Sequence, residues 1–218
     1  MKKVNVQPLQ SKSPKGAEFL NAICSNLSFA GKEAKKILIA SWDESDGKTF
    51  MAQNIAGNMA VRGKRVVTVS ANLRREENNG GKKQGLLQFL SGQCALKDIL
   101  YPTGDENAFM VPAGGKTEMA VSYLERVEFP GLLDALAEQF DLVLVDTPAL
   151  GKAIDAAEIA KYCDGAVLVA KYNSTTGANM KKIKKQLNRA GCPILGCVIN
   201  QVAATGFESK RMLNSIGL

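Results

Sequence analysis

Histidine is absent from all 218 residues. That absence removes Ser–His and Cys–His nucleophilic catalysis, and most zinc chemistry, from consideration. Long apolar runs are missing too: none approaches the ~20 residues that cross a bilayer. The basic start, MKKVNVQPLQ, has no apolar core behind it, so no secretory leader is expected. The five cysteines (Cys24, Cys94, Cys163, Cys192, Cys197) lack C-x-x-C spacing, and three fall in apolar segments, as reduced core thiols of a cytosolic protein do. What is present, 45% hydrophobic and 22% charged residues, suffices for one large buried core. The net charge of +7 admits an acidic partner such as nucleic acid, anionic lipid or a protein tail. Its densest cluster is Lys181, Lys182, Lys184 and Lys185, in a helical pattern with no interleaved aromatics. A solvated helix face is the preferred reading there, ahead of a nucleic-acid interface.

The chain is organised around residues 35–60, KKILIASWDESDGKTFMAQNIAGNMA. A short apolar run (Ile37 to Ala40) predicts a buried strand, a polar turn follows, and Gly47-Lys48-Thr49 opens a helical pattern through Met51, Ile55 and Met59. Strand, loop, Gly-Lys-Thr and helix form the setting of a phosphate-binding loop. The first N–H groups of a helix lack partners, and the helix dipole adds positive potential there. Gly47 lets the backbone approach a phosphate, Lys48 reaches the terminal phosphates, and the Thr49 hydroxyl helps hold magnesium. Ser45, Asp46 and Phe50 complete the candidate nucleotide cradle. Two features depart from the pattern. Trp42 stands where G-x-x-x-x-G-K-[ST] asks for glycine, and Asp43, Glu44 and Asp46 place three carboxylates where a polyphosphate would approach. A turn that keeps Gly-Lys-Thr and binds nothing is the alternative.

Residues 1–12 are polar and form an expected flexible arm; residues 13–218 form one expected nucleotide-binding domain. A helix begins at Ser13-Pro14 and ends near Gly31. After Gly63, Val66, Val67 and Val69 predict a strand with Ser70, Ala71, Asn72, Leu73 and Arg74 at its C-terminal end, where open α/β sheets bind ligands. A flexible loop is expected over 76–84, a short helix from Leu86, a turn near 97–100, and a short strand over 109–112. A helical stretch over 119–140 is interrupted by Pro130. The run DLVLVDTP predicts a buried strand ending in Asp146, a second candidate magnesium residue beside Thr49, with a helix N-cap as the bland alternative. Helices over 153–162 and the lysine-rich segment, strands over 165–170 and 193–200, and a final helical piece to Leu218 complete the chain. Asn200 ends the last strand, placed to read a base edge or cap a turn. Apolar strands alternating with helices predict an α/β class: a P-loop NTPase-like three-layer fold with a mostly parallel sheet covered on both faces.

Over 13–201 the chain resembles the bacterial tyrosine kinases of capsule and exopolysaccharide assembly, relatives of MinD- and ParA-type P-loop ATPases. The blocks that carry this are SPKGAEF, GKTFMAQNIAGNMAVRGKRV, ANLRR, GLLQFLSG, VPAG, FDLVLVDTP, DGAVLVAKYNSTT and GCPILGCVIN, in that order. The resemblance implies ATP or ADP with Mg2+ as cofactors. It also implies a cytoplasmic protein recruited to the inner face of the membrane by the cytoplasmic tail of a transmembrane polysaccharide chain-length regulator. Three family features are altered. Of the family's Asp-x-Asp-x-Arg motif, implied to supply a metal carboxylate and the base toward tyrosine, this chain keeps Arg74 and has Ser70 and Asn72 in place of the aspartates. Its Glu-x-x-Arg-x-x-Arg motif, linked to self-association, becomes Glu18, Asn21 and Cys24, and the C-terminal tyrosine cluster is absent. Neutral asparagine accepts no proton at working pH. The expectation is a nucleotide-binding, catalytically impaired regulatory partner, and whether the chain is an enzyme stays open. An active kinase or slow ATPase that recruits Asp43, Glu44, Asp46 or Asp155 is one alternative. A ParA-like positioning ATPase on DNA or membrane is another.

Overall fold

Four strands of the chain are so apolar that both of their faces must be covered. The computed structural model describes residues 14–30, 34–76 and 84–202, and it builds one seven-stranded sheet from β1 (Lys36–Ala40), β2 (Val66–Ser70), β3 (Tyr101–Pro102), β4 (Ala108–Val111), β5 (Leu142–Asp146), β6 (Gly165–Lys171) and β7 (Ile194–Asn200). The strand order is β3-β4-β2-β5-β1-β6-β7, parallel throughout except where β3 pairs antiparallel with β4. The helices are α1 (Pro14–Ala30), α2 (Lys48–Val61), α3 (Leu86–Leu90), α4 (Leu96–Ile99), α5 (Ala120–Leu124), α6 (Glu128–Gln139), α7 (Asp155–Ala160) and α8 (Gly177–Arg189).

Successive strand residues face opposite sides, and the core divides accordingly. Ile37, Ile39, Leu144 and Val169 pack beneath α1 and α2 with Cys24, Met51 and Ile55. Leu38, Val67, Val145 and Leu168 face the other way, against Phe129, Leu133 and Leu136 of α6 and Ile183 and Leu187 of α8. Each fully buried aliphatic side chain contributes about 1.5–3 kcal/mol. Three layers result: helices, sheet, helices.

The differences from expectation are local. Pro130 does not interrupt a helix. The break falls at 125–127, and Pro130 lies in the first turn of α6, where its missing N–H leaves no bond unmade. The strand over 194–200 is not deeply buried: all seven residues of β7 are half-exposed, because it ends the sheet among the described residues. The helix predicted over 153–162 is confined to α7. The two-residue strand β3 carries too little pattern to predict, and it supplies the antiparallel edge. The arm over 1–12, most of the loop over 76–84 and the last helical piece lie outside the described residues.

Candidate phosphate-binding site

The central strand β1 ends at Ala40 between β5 and β6, so the chain leaves the sheet at its middle and turns directly into the loop. Asp43 caps a 3-10 turn over Glu44–Asp46: its carboxylate accepts from the Ser45 N–H (3.0 Å), which holds that carboxyl below its usual range. Gly47 then adopts φ +92°, and α2 begins at Lys48. By helix geometry, the first N–H groups of α2 have no intrahelical acceptor. Glycine is required at 47 twice over, since its φ is left-handed and a Cβ there would lie 2.3 Å from Asn200 Nδ2.

Of the three loop acids, Glu44 is exposed and Asp43 half-buried. Asp46 is fully buried. Its oxygens accept from the Asp43 N–H (2.8 Å) and the Thr175 hydroxyl (3.0 Å), so it braces the loop from behind. The expectation that Asp46 faces an incoming polyphosphate is therefore corrected. The exposed Ser45 lies in the 3-10 turn, and the half-buried Phe50 gives its carbonyl to Asn54 Nδ2. Asn200 donates from Nδ2 to the Asp46 carbonyl (3.0 Å) and accepts from the Gln201 N–H (2.9 Å). It clamps the loop, with both ends of its amide engaged.

Lys48 is 4% exposed and donates to Ser41 Oγ at 2.9 Å. Burial holds its ammonium below the ordinary lysine range; Asp146 and Asp46 act against that shift, and Arg75 acts with it. Thr49 Oγ1 donates to Asp146 Oδ2 at 2.5 Å. Asp146 is not a helix cap, since α7 starts nine residues later behind Ile154. A hydroxyl and a carboxylate side by side at the phosphate end are oxygen donors suited to a magnesium ion that takes its other ligands from phosphates and water. Among the described residues, no group of three or more His, Cys, Asp or Glu side chains could hold a metal without such help.

Ser70 lies opposite Asp146 in the β2–β5 register. Asn72 Oδ1 accepts from the Arg74 N–H (3.3 Å), shaping the turn that follows β2. Arg74 grips the buried Asp155 with Nε at 2.6 Å and Nη2 at 2.8 Å, so neither is at liberty to act as a recruited base or metal ligand. Arg75 goes the other way and reaches Thr49 Oγ1 with Nη2 at 3.4 Å. The sequence reading missed Arg75, although a second arginine at a parallel-strand end was the available signal. It also missed Ser41, which carries no motif, and Thr175, which lies in the block DGAVLVAKYNSTT but was given no role.

Trp42 does not fill the loop. It is half-buried, with Gly151 packed against it so closely that a Cβ there would lie 2.5 Å from the Trp42 carbonyl and 2.8 Å from its ring. Lys182 of α8 stands over the ring at 5.3 Å from its centroid. Farther away, the two α1 positions where the resemblance would place arginines present none: Cys24 is fully buried in the core, and Asn21 accepts from Asn58 and Arg62.

Fold and loop together define a P-loop NTPase-like protein. No family model matches the chain. Tyrosine-protein kinase CpsD of Streptococcus agalactiae is 33% identical over 193 residues, covering 86% of this chain and 84% of the relative. The kinase domain of the Escherichia coli tyrosine kinase ETK superposes with a TM-score of 0.83 at 25% identity, over 94% of this chain and 85% of that one. The cell division ATPase MinD of Pyrococcus furiosus, at 22% identity and a TM-score of 0.71 over 84% of this chain and 80% of its own, shares the fold. The chain belongs to the bacterial tyrosine kinase family of capsule and exopolysaccharide biosynthesis.

Proposed function

We propose that this chain binds a nucleoside polyphosphate in the loop over 41–49 and serves as a catalytically impaired, regulatory member of its family. The observation that carries this is the contrast around Asp146. Lys48, Thr49 and Asp146 stand together at the loop, which supports reading them as its phosphate-and-magnesium end, while Ser70 and Asn72 supply no carboxylate beside them. Losing a positioned general base costs about 10²–10⁴ in rate. When bound, magnesium would supply charge neutralisation at the phosphates, held by Thr49 and Asp146; Lys48 would fix the phosphate and Asn200 the loop behind it. The partner we propose is the cytoplasmic tail of a transmembrane chain-length regulator, which would bring the chain to the inner membrane face. No helix among the described residues is long and apolar enough to cross a membrane by itself.

Calorimetric titration with ATP and ADP tests the binding half. Micromolar affinity that Lys48→Ala abolishes is the expected outcome, and absence of binding at millimolar nucleotide would refute it. Co-expression with candidate partners tests the impaired half. Phosphotyrosine that appears with the parent chain and disappears with Lys48→Ala would establish an active kinase instead.

A further inference from the structure

Asn72 turns the chain after β2 so that two successive arginines part company. Arg74 is committed to Asp155 through two hydrogen bonds. Arg75 is exposed, and its Nη2 lies 3.4 Å from the Thr49 hydroxyl, which in turn donates to Asp146. A guanidinium thus stands at the phosphate end of the loop, in line with Thr49 and Asp146 and within electrostatic reach of Lys48.

The charges around this point decide what Arg75 can do. Two cationic groups, Lys48 and Arg75, meet Asp146 here; Asp46 also acts on Lys48 but is turned into the protein and hydrogen-bonded there, and the exposed Glu44 acts on Lys48 more weakly than either carboxylate. Ser70, opposite Asp146 in register, is neutral. A divalent ion entering beside Thr49 would therefore meet a single protein carboxylate with a guanidinium already alongside. An anionic phosphate oxygen entering at the same point would meet two cations. Arginine's planar fork suits phosphate oxygens, and its charge does not titrate.

We propose that Arg75 is a phosphate-binding residue. It contacts the terminal phosphate of a nucleoside di- or triphosphate and supplies there positive charge that magnesium would otherwise bring, so that nucleotide binding depends on Arg75 and only weakly on magnesium. This rests on the reading of the loop as a nucleotide site.

The test is calorimetry of ATP and ADP binding to the full chain, in millimolar magnesium and in excess EDTA, for the parent chain, Arg75→Ala, Arg75→Lys and Lys48→Ala. The parent chain should keep its affinity in EDTA to within about threefold. Arg75→Ala should weaken binding in EDTA by about tenfold or more, the loss expected for one charge-assisted hydrogen bond, and should make affinity magnesium-dependent. Arg75→Lys should recover part of the loss, lacking only the fork. Melting temperatures of the Arg75 variants should equal the parent's, because the side chain is exposed. Binding that vanishes in EDTA, or that Arg75→Ala leaves unchanged, overturns the inference while leaving the nucleotide site standing. No binding by the parent chain in either condition overturns both.

Discussion

Asp46 shows how much the orientation of one side chain decides. In the sequence it is one of three acids beside Gly-Lys-Thr, and removing its charge would be expected to help a phosphate bind. In the structure it is fully buried and accepts from the Asp43 N–H and the Thr175 hydroxyl. An amide in its place keeps one acceptor and turns an NH2 group toward one of those donors. Asp46→Asn should therefore destabilise the chain by about 1–3 kcal/mol, the cost of unsatisfied buried partners, and should bring no gain in nucleotide affinity. Urea unfolding and calorimetry read the two effects separately. Lys48 adds a pH dependence of definite sign. Its folded pKa lies below the unfolded value because burial disfavours the charge. The unfolded chain then binds more protons, so stability gains from deprotonating Lys48 as pH rises through the folded pKa toward the ordinary lysine value. Nucleotide affinity should fall over the same interval as the neutral amine loses its hold on phosphate.

At the scale of elements, the segment following β2 is fastened to α7 by the Arg74–Asp155 pair. Asp155 is fully buried and Arg74 is 38% exposed, so Arg74→Ala leaves a buried carboxylate without its fork. A loss of about 2–3 kcal/mol is expected, below the figure for a fully buried pair. Chemical denaturation measures it, and a change under 0.5 kcal/mol, the ordinary range for surface substitutions, would count against this fastening. Most elements were legible beforehand. The strands β1, β2, β5 and β6 are short Val-, Ile- and Leu-rich runs between polar turns, and α2 opens on Gly-Lys-Thr. What was not legible depends on contacts between distant segments. Thr175, in the turn after β6, and Asn200, at the end of β7, both reach the loop, and no local pattern announces those contacts. Trp42 departs from the glycine pattern, and its packing on Gly151, more than a hundred positions away, is equally unreadable from the local sequence. Pro130 looked like a helix breaker because periodicity alone does not separate a first turn from an interior one.

Across the whole molecule, the sheet joins parts of the chain that are synthesised far apart. β1 pairs only with β5 and β6, and its loop is held by residues 146, 175 and 200. Such pairing makes folding slow, with the closure of long loops preceding any gain from contact. The loop sequence is complete early in synthesis, yet its bracing arrives last. Trp42, the single tryptophan, lies on that seam, packed by Gly151 and covered by Lys182. The indole is therefore a built-in clock for assembly. In refolding from urea, its fluorescence should recover with the slowest phase, after most far-ultraviolet ellipticity has returned. In the folded chain the same emission should respond when the loop beside it takes up a ligand. The residue that breaks the glycine pattern makes the loop's state visible without any label.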